Sequence, residues 1–148
     1  MARTKGPDPA EVADRIHAAA IRLLRYVRKE DAAAGVGAPQ LSALSVLVFQ
    51  GPQTMTQLAA AEQVRLPTMS RLVTELENRG LVTRKSDASD RRLSYISATK
   101  KGRNLLEEGR KRRLSRLVRA LLRLPPDRLR EIASAAEAII EATAAEQG

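Results

Sequence analysis

The chain has 148 residues, enough for about one domain, and carries a formal net charge of +9 from 26 basic and 17 acidic residues. This excess favours a polyanionic partner, with nucleic acid ahead of an anionic membrane surface. Cysteine is absent, histidine occurs once and no apolar run is long enough to span a bilayer, which excludes disulfides, His-rich or Cys-based metal sites within one chain and a transmembrane segment.

The first predicted helix begins at Pro9, a residue that suits the first helical position because no backbone donor is needed there. Asp8 can cap this helix, and Glu11 can complete a capping box. Apolar residues at three- and four-residue steps continue the pattern to about Ala34, and Gly35 ends it. The sequence therefore predicts a long amphipathic helix here.

Three more helix starts follow. The helix that opens at Pro39 has apolar residues too dense for one stripe, which predicts a place in the centre of the domain, and Gly51 ends it. Thr54 and Gln57 form another capping box that opens a short helix. After a turn, Pro67 lies in the first turn of the next helix. The short helix after Thr54 and the helix that contains Pro67 together predict a helix-turn-helix.

The second helix of this pair separates apolar from polar residues around its axis. The inward side is predicted to carry Met69, Leu72, Val73 and Leu76. The outer and flanking sides carry Thr68, Ser70, Arg71, Thr74 and Glu75. Hydrogen-bonding and basic groups on the exposed side of such a helix are typical of a recognition helix that enters the DNA major groove.

Residues 81–97 alternate between apolar and polar, which predicts two short strands joined by a turn at Ser86 to Asp90. A strand pair directly after a second helix predicts a winged helix-turn-helix, with one short β-hairpin as the wing. The wing tip carries the charged residues Asp87, Asp90, Arg91 and Arg92. A charged hairpin tip is in general a solvated loop. Here a recognition helix precedes the hairpin, which favours contact of this tip with nucleic acid.

A long helix is predicted from Lys100, capped by Thr99, and a last helix follows the break at Pro125 and Pro126. Opposite its apolar seam the long helix has a basic face, formed by Arg110, Lys111, Arg112, Arg113, Arg116, Arg119 and Arg123. Two interpretations stay open: the back of a DNA-binding scaffold, or a basic amphipathic module that binds an anionic membrane or a protein partner. Aromatic residues are only 2% of the chain, which weakens the membrane interpretation because interfacial anchors are missing.

Three sequence segments, TQLA, PTMSRLVTELENRGLVTR and SDASDRR, occur in this order, and Gly102 follows them. Together they resemble the MarR family of bacterial transcriptional regulators. The resemblance implies a mainly α (α+β) fold in a single domain, residues 1–148. Within it, residues 38–99 would form the winged helix-turn-helix, and residues 8–35 and 100–146 would form flanking dimerisation helices.

The resemblance carries the family's DNA-contacting positions onto Thr68, Ser70, Arg71, Asp90 and Arg91. The hydroxyl groups and Arg71 can reach base edges or backbone in the major groove. Arg91 can enter the narrow minor groove, with Asp90 fixing its orientation.

Four other residues complete the candidate DNA-binding set. Arg65 stands where the family commonly has Ser or Thr, so the recognition helix loses a cap worth about 1 kcal/mol and gains a cation for a phosphate. Thr74 lies on the outer or flanking side of the same helix. Arg84 is either a DNA backbone contact or a surface charge. Arg92 either contacts DNA or pairs with a carboxylate of the wing tip.

The prediction is a cytoplasmic, homodimeric regulator that binds double-stranded DNA at a pseudo-palindromic operator and acts as a repressor. The resemblance also implies release by a small aromatic anion bound in an apolar crevice with basic neighbours. No enzyme is expected, because the sequence offers no nucleophile with a base, no glycine-rich phosphate loop and no metal cluster. No cofactor is expected either.

Overall fold

The computed structural model describes residues 6–144, which fall into two compact units that divide after Arg113. The helices are α1 (Pro9–Arg28), α2 (Ala38–Gln50), α3 (Met55–Ala61), α4 (Leu66–Asn78), α5 (Lys100–Leu121) and α6 (Pro126–Ala144). The strands are β1 (Gln53–Thr54), β2 (Val82–Ser86) and β3 (Ser94–Ala98). The predicted fold class, a mainly helical winged helix-turn-helix, is confirmed. Within the described residues, no helix combines the length and apolarity needed to cross a bilayer.

The first helix ends earlier than predicted. Asp8 caps it as expected, because its carboxylate accepts from the backbone N–H of Ala10 at 3.1 Å. The helix stops at Arg28, and Asp31–Ala34 forms a separate 3-10 helix that ends at Gly35 with φ +70°. The prediction of one helix to Ala34 was therefore wrong. The physical reason is tertiary, because this linker bonds to distant helices.

Those linker bonds have partners that lie far away in the sequence. The carboxylate of Asp31 forms an ion pair with Arg113 of α5, with 2.6 Å between Oδ1 and Nη1. The carbonyl of Gly35 accepts a hydrogen bond from the guanidinium of Arg79, directly after α4. A regular helical continuation of α1 would not keep both of these groups in place.

The hydrophobic core lies in the first unit, where α2 is central as predicted. Its fully buried residues come from α2, α3, α4 and the sheet with the turn before it. The largest of them are Leu44, Leu58, Met69, Val73, Leu76, Leu81 and Ile96. Burial of each such side chain contributes about 1.5 to 3 kcal/mol, so this core holds the wing and both helices of the helix-turn-helix together.

The sheet has three antiparallel strands, with β3 between β1 and β2. The predicted hairpin corresponds to β2 and β3, but the short strand β1 was not predicted. Its two residues pair with Ile96 and Tyr95, and Thr54 also closes the predicted capping box with Gln57. Two residues carry no alternation pattern, so only the neighbouring β3 makes this segment a strand.

The start of α5 is joined closely to the end of α4. Thr99 caps α5 as predicted, since its hydroxyl accepts from the N–H of Gly102 at 3.1 Å. The same hydroxyl donates to the carbonyl of Gly80 at 2.7 Å, and the N–H of Thr99 donates to the carbonyl of Leu81 at 3.0 Å. A Cβ on Gly102 would stand 2.3 Å from that carbonyl oxygen, so the backbones approach too closely for any other residue.

Candidate nucleic-acid interface

The amphipathic pattern of α4 orients the candidate recognition residues. Its four predicted inward residues, Met69, Leu72, Val73 and Leu76, are all buried. Because these residues pack against the core, the other side of the helix is exposed, including Thr68, Ser70, Arg71 and Thr74. The first turn contains Pro67, and Arg65 occupies the N-cap position without a side-chain cap. The N-terminal N–H groups of α4 thus keep free hydrogen-bonding capacity beside a cation.

Five of the nine candidate residues keep their side chains free of internal partners. Among residues 6–144, they form no side-chain hydrogen bond or ion pair, and all are exposed. These free candidates are Arg65, Thr68, Ser70, Arg71 and Arg91. An exposed donor without an internal partner is available to a phosphate or a base edge at no cost in broken internal bonds.

Two other candidates are engaged with each other between α4 and β2. Arg84 forms an ion pair from its Nε to Glu77 at 3.1 Å and donates from Nη2 to the hydroxyl of Thr74 at 3.2 Å. That hydroxyl in turn donates to the carbonyl of Ser70 at 2.9 Å. The proton and an acceptor position of Thr74 are therefore both used inside the protein.

The last two candidates, Asp90 and Arg92, pair in the wing loop, which is one of the two alternatives that the sequence left open for Arg92. Asp90 accepts from the backbone N–H of Arg92 at 3.0 Å and from its Nε at 3.3 Å. Asp90 therefore restrains Arg92 in this structure, and its role in orienting Arg91 on DNA stays a prediction. The cause of the restraint is local: an Asp side chain bonds most readily to the backbone two residues on, which brings that residue's side chain to the same oxygen. The pair is worth little, since the Arg92 side chain is 92% exposed.

The rest of the wing loop is ordered by Asp87. Its carboxylate accepts from the N–H and the hydroxyl of Ser89, at 2.7 and 2.5 Å, and from the N–H of Asp90 at 3.2 Å. The loop from Asp87 to Leu93 is also closed by the N–H of Asp87 donating to the carbonyl of Leu93 at 2.8 Å. It is longer than the predicted turn, because β3 begins only at Ser94.

These hydrogen bonds lower the pKa of Asp87 below its ordinary value, the hydroxyl of Ser89 having the largest effect. Because the folded pKa lies below the unfolded one, the carboxylate stabilises the loop above the unfolded pKa, and this contribution is lost as pH falls through the folded pKa. An NMR titration of the Asp87 carboxyl should show the lowered pKa. The variant Ser89→Ala should raise it towards the ordinary value, and an unchanged pKa in that variant would contradict this cause.

A second feature of the first unit is a cavity of about 340 Å³ between α2 and α5. Its lining residues are Ser45, Val48, Phe49, Arg103, Leu106, Glu107, Arg110 and Arg113. Arg103 donates to the carbonyl of Ala98 at 2.9 Å, and Arg113 is paired with Asp31. Arg110 has no such partner among the described residues. The cavity thus combines apolar walls with the free cation of Arg110 and with the carboxylate of Glu107, which lies 3.9 Å from the ammonium of Lys111.

Sequence reasoning missed the residues that tie α4 to its neighbours. Glu77 holds Arg84, and Glu75 accepts from the side chain of Gln40 at 2.5 Å. Arg79 reaches Gly35, as described above. Charged residues at the end of a helix are typical of a solvated surface, so their spacing carried no signal of these contacts.

Comparison with known proteins gives a consistent result. The model of the MarR family matches residues 37–94. An HTH-type transcriptional regulator of Mycobacterium leprae is 33% identical over 132 residues, which cover 89% of this chain and 92% of the relative.

Solved structures share the fold at lower identity. A transcriptional regulator of Thermotoga maritima has a TM-score of 0.80 at 22% identity, with 92% of this chain and 98% of the other covered. A mutant of MepR from S. aureus, bound to an oligodeoxyribonucleotide, has a TM-score of 0.70 at 19% identity, with 89% and 97% covered.

Proposed function

Because the chain belongs to the MarR family and is a DNA-binding transcriptional regulator, we propose that it binds a specific operator as a homodimer and represses transcription. The observation that carries this proposal is the exposed side of α4. Thr68, Ser70 and Arg71 lie there without internal side-chain partners, opposite a fully buried side. Arg91 on the wing is free in the same way. A helix with this arrangement suits the major groove, and a wing arginine suits the minor groove.

Dimerisation is supported by exposed apolar residues on the flanking helices. In the first unit, α1 has no buried residue and exposes Val12, Ile16, Ile21, Leu23 and Leu24. In the second unit, α6 has no buried residue and exposes Ile132, Ile139 and Ile140. We propose residues 8–35 and 100–146 as the dimerisation region and residues 38–99 as the DNA-binding part of one domain; residues 145 and 146 lie outside the described part of the chain. An isologous two-fold interface would remove these apolar residues from water.

The experiment that tests this function is the selection of bound duplexes from a random pool. A two-fold dimer should enrich a pseudo-palindrome whose half-sites lie about 10 base pairs apart. Failure to enrich any duplex would contradict sequence-specific binding, and enrichment of an unpaired half-site would contradict the dimer. Repression is tested with a reporter whose promoter overlaps the selected sequence, where an activator would raise expression instead of lowering it.

Arg91→Ala should weaken DNA binding and lower the slope of log affinity against log salt by about one unit for each protomer bound. The reason is that a cation held between the phosphates of the minor groove displaces about one condensed counterion, which the variant no longer releases. Fluorescence anisotropy at several salt concentrations measures both quantities. Lys29→Ala is the control for one lost exposed charge outside residues 38–99. Because Lys29 lies in the proposed dimerisation region, sedimentation first establishes that this variant is still a dimer, and it should then leave both quantities nearly unchanged. An unaltered slope and affinity in Arg91→Ala would remove this residue from the interface.

We propose further that a small aromatic anion in the cavity between α2 and α5 releases the operator. The free Arg110 and the apolar side chains of Val48, Phe49 and Leu106 support an aromatic anion as the chemical class. The ligand must bind one arrangement of the two DNA-binding parts better than the other, since equal affinity shifts no population. Calorimetry with salicylate should give binding heat that Arg110→Ala abolishes. Absence of heat and of any effect on DNA affinity would contradict this mechanism.

The basic face of α5 gives less support to membrane binding. Lys111 pairs with Glu108 at 3.1 Å and Arg113 with Asp31 at 2.6 Å, so part of this charge is already neutralised. Sedimentation with anionic vesicles, with and without competing duplex, separates the alternatives. We propose that the protein works in the cytoplasm, has no catalytic activity and uses no cofactor.

A further inference from the structure

Outside the shared hydrophobic core, one exposed side chain of β2 links the wing to the recognition helix. Along this strand Val82 is buried, Thr83 is half-buried, and the three residues after them are exposed. Beyond its first two residues, β2 therefore has no side chain of its own in the core. Arg84 is the first exposed residue, and it reaches back to Glu77 and Thr74 on α4.

The form of this contact distinguishes it from an ordinary surface ion pair. Arg84 uses two nitrogens of its planar guanidinium for two different residues of α4, which restrains direction as well as distance. The side chains of Arg84 and Glu77 are 35% and 40% exposed, so the charge attraction alone is weak in water. The contact therefore matters more for geometry than for stability.

We propose that Arg84 is a positioning residue, held by Glu77 and Thr74, that sets the orientation of the wing relative to the recognition helix and does not itself contact DNA. This inference rests on the proposed function, because it concerns how the DNA-binding surface is shaped. It also assigns a role to Glu77, an acidic residue that DNA itself would repel. Wing and helix must reach two grooves at once, so a change in their relative orientation weakens binding without removing a contact.

The opposite role for Arg84, a contact to phosphate, makes a different prediction about Glu77. If Arg84 had to leave Glu77 to reach a phosphate, Glu77 would compete with DNA, and removing its charge would tighten binding. If Arg84 is a positioning residue, removing the Glu77 charge frees the Arg84 side chain from α4 and lowers the affinity for DNA. The sign of the Glu77→Gln effect therefore separates the two roles.

The test measures anisotropy of the selected operator over a range of salt concentrations. We expect Glu77→Gln and Arg84→Ala each to weaken binding about tenfold, a size that matches the interaction energies of residues in one network. The salt slope should stay unchanged in both variants. Arg84→Lys should weaken DNA binding too, because the lysine ammonium keeps the charge but lacks the planar guanidinium that bonds to two residues at once. Tighter binding by Glu77→Gln, or a slope lowered by about one unit per protomer in Arg84→Ala, would overturn the inference.

A charge reversal serves as the rescue. The double variant Glu77→Arg with Arg84→Glu should recover affinity lost by either single reversal, and failure to recover any would contradict a positioning role. Thermal unfolding of each variant identifies losses of DNA affinity that come from misfolding. If Arg84→Ala does not fold, Arg84→Lys still tests the inference. Wild-type protein that binds no duplex would refute the proposed function, whereas wild-type binding with a tighter Glu77→Gln variant would refute this inference alone.

Discussion

Gly102→Ala should lower the free energy of unfolding by about 2 to 3 kcal/mol, the cost of forcing an extra methyl group into a filled site. The new Cβ would stand 2.3 Å from the carbonyl oxygen of Leu81 and 3.0 Å from a methyl group of Leu44. That carbonyl cannot move freely, because it also accepts the N–H of Thr99. Urea unfolding followed by circular dichroism measures the change. DNA binding should fall with it, since the displaced segment leads directly into β2.

Gly109→Ala is the matched control, because it makes the same change in the same helix. Its Cβ would meet the Nη1 of Arg113 at 3.3 Å, and the flexible end of an arginine can shift by a few tenths of an ångström. Alanine also favours a helix interior by about 1 kcal/mol over glycine. This variant should therefore be as stable as the wild type or up to about 1 kcal/mol more stable. Equal losses in both variants would show that the close approach to Leu81 is not the cause.

Arg71→Ala should cause the largest loss of sequence-specific DNA binding. The side chain is exposed on α4 and has no internal partner among the described residues, so it is available to a base. A good bidentate contact discriminates by about 1 to 3 kcal/mol, and a two-fold dimer would lose two of them. The expected loss is therefore about 2 to 6 kcal/mol for the operator, and smaller for unrelated duplex.

This effect is measured by comparing operator and unrelated duplex at one salt concentration, followed by a new selection with the variant. A relaxed base preference at one position of each half-site would identify base contact. A uniform loss with a lower salt slope would identify phosphate contact instead. Unchanged affinity and preference would exclude Arg71 from the interface, and Lys29→Ala again provides the control for lost charge.

The beginnings of the helices were predictable because capping is a local interaction. Asp8, Thr54 and Thr99 each accept a backbone N–H two or three residues ahead, so the whole interaction lies within one stretch of sequence. The buried side of α4 was predictable for a similar reason, because helical periodicity alone separates Met69 and Val73 from the exposed residues.

The exposure of the candidate residues on α4 was predictable from the sequence, but the internal contacts of the candidate set were not. The sequence analysis named nine candidates, and the structure leaves five of them free and engages four internally. Arg84 reaches Glu77 and Thr74 across the turn between helix and strand, and Asp90 holds Arg92. The internal partner of each donor depends on where the side chains lie in space. The spacing of residues along the sequence does not determine those positions.

The sequence by itself determined the helix-turn-helix, the wing hairpin and the residues on its surface, because periodicity and capping act over a few neighbouring positions. Tertiary structure decided the third strand, the early end of α1 and the tie between wing and recognition helix. In each of these cases the partner lies in another element: Ile96 for β1, Arg113 for Asp31, Glu77 for Arg84. Such contacts form only after the core has brought the elements together, so they leave no periodic trace in the chain.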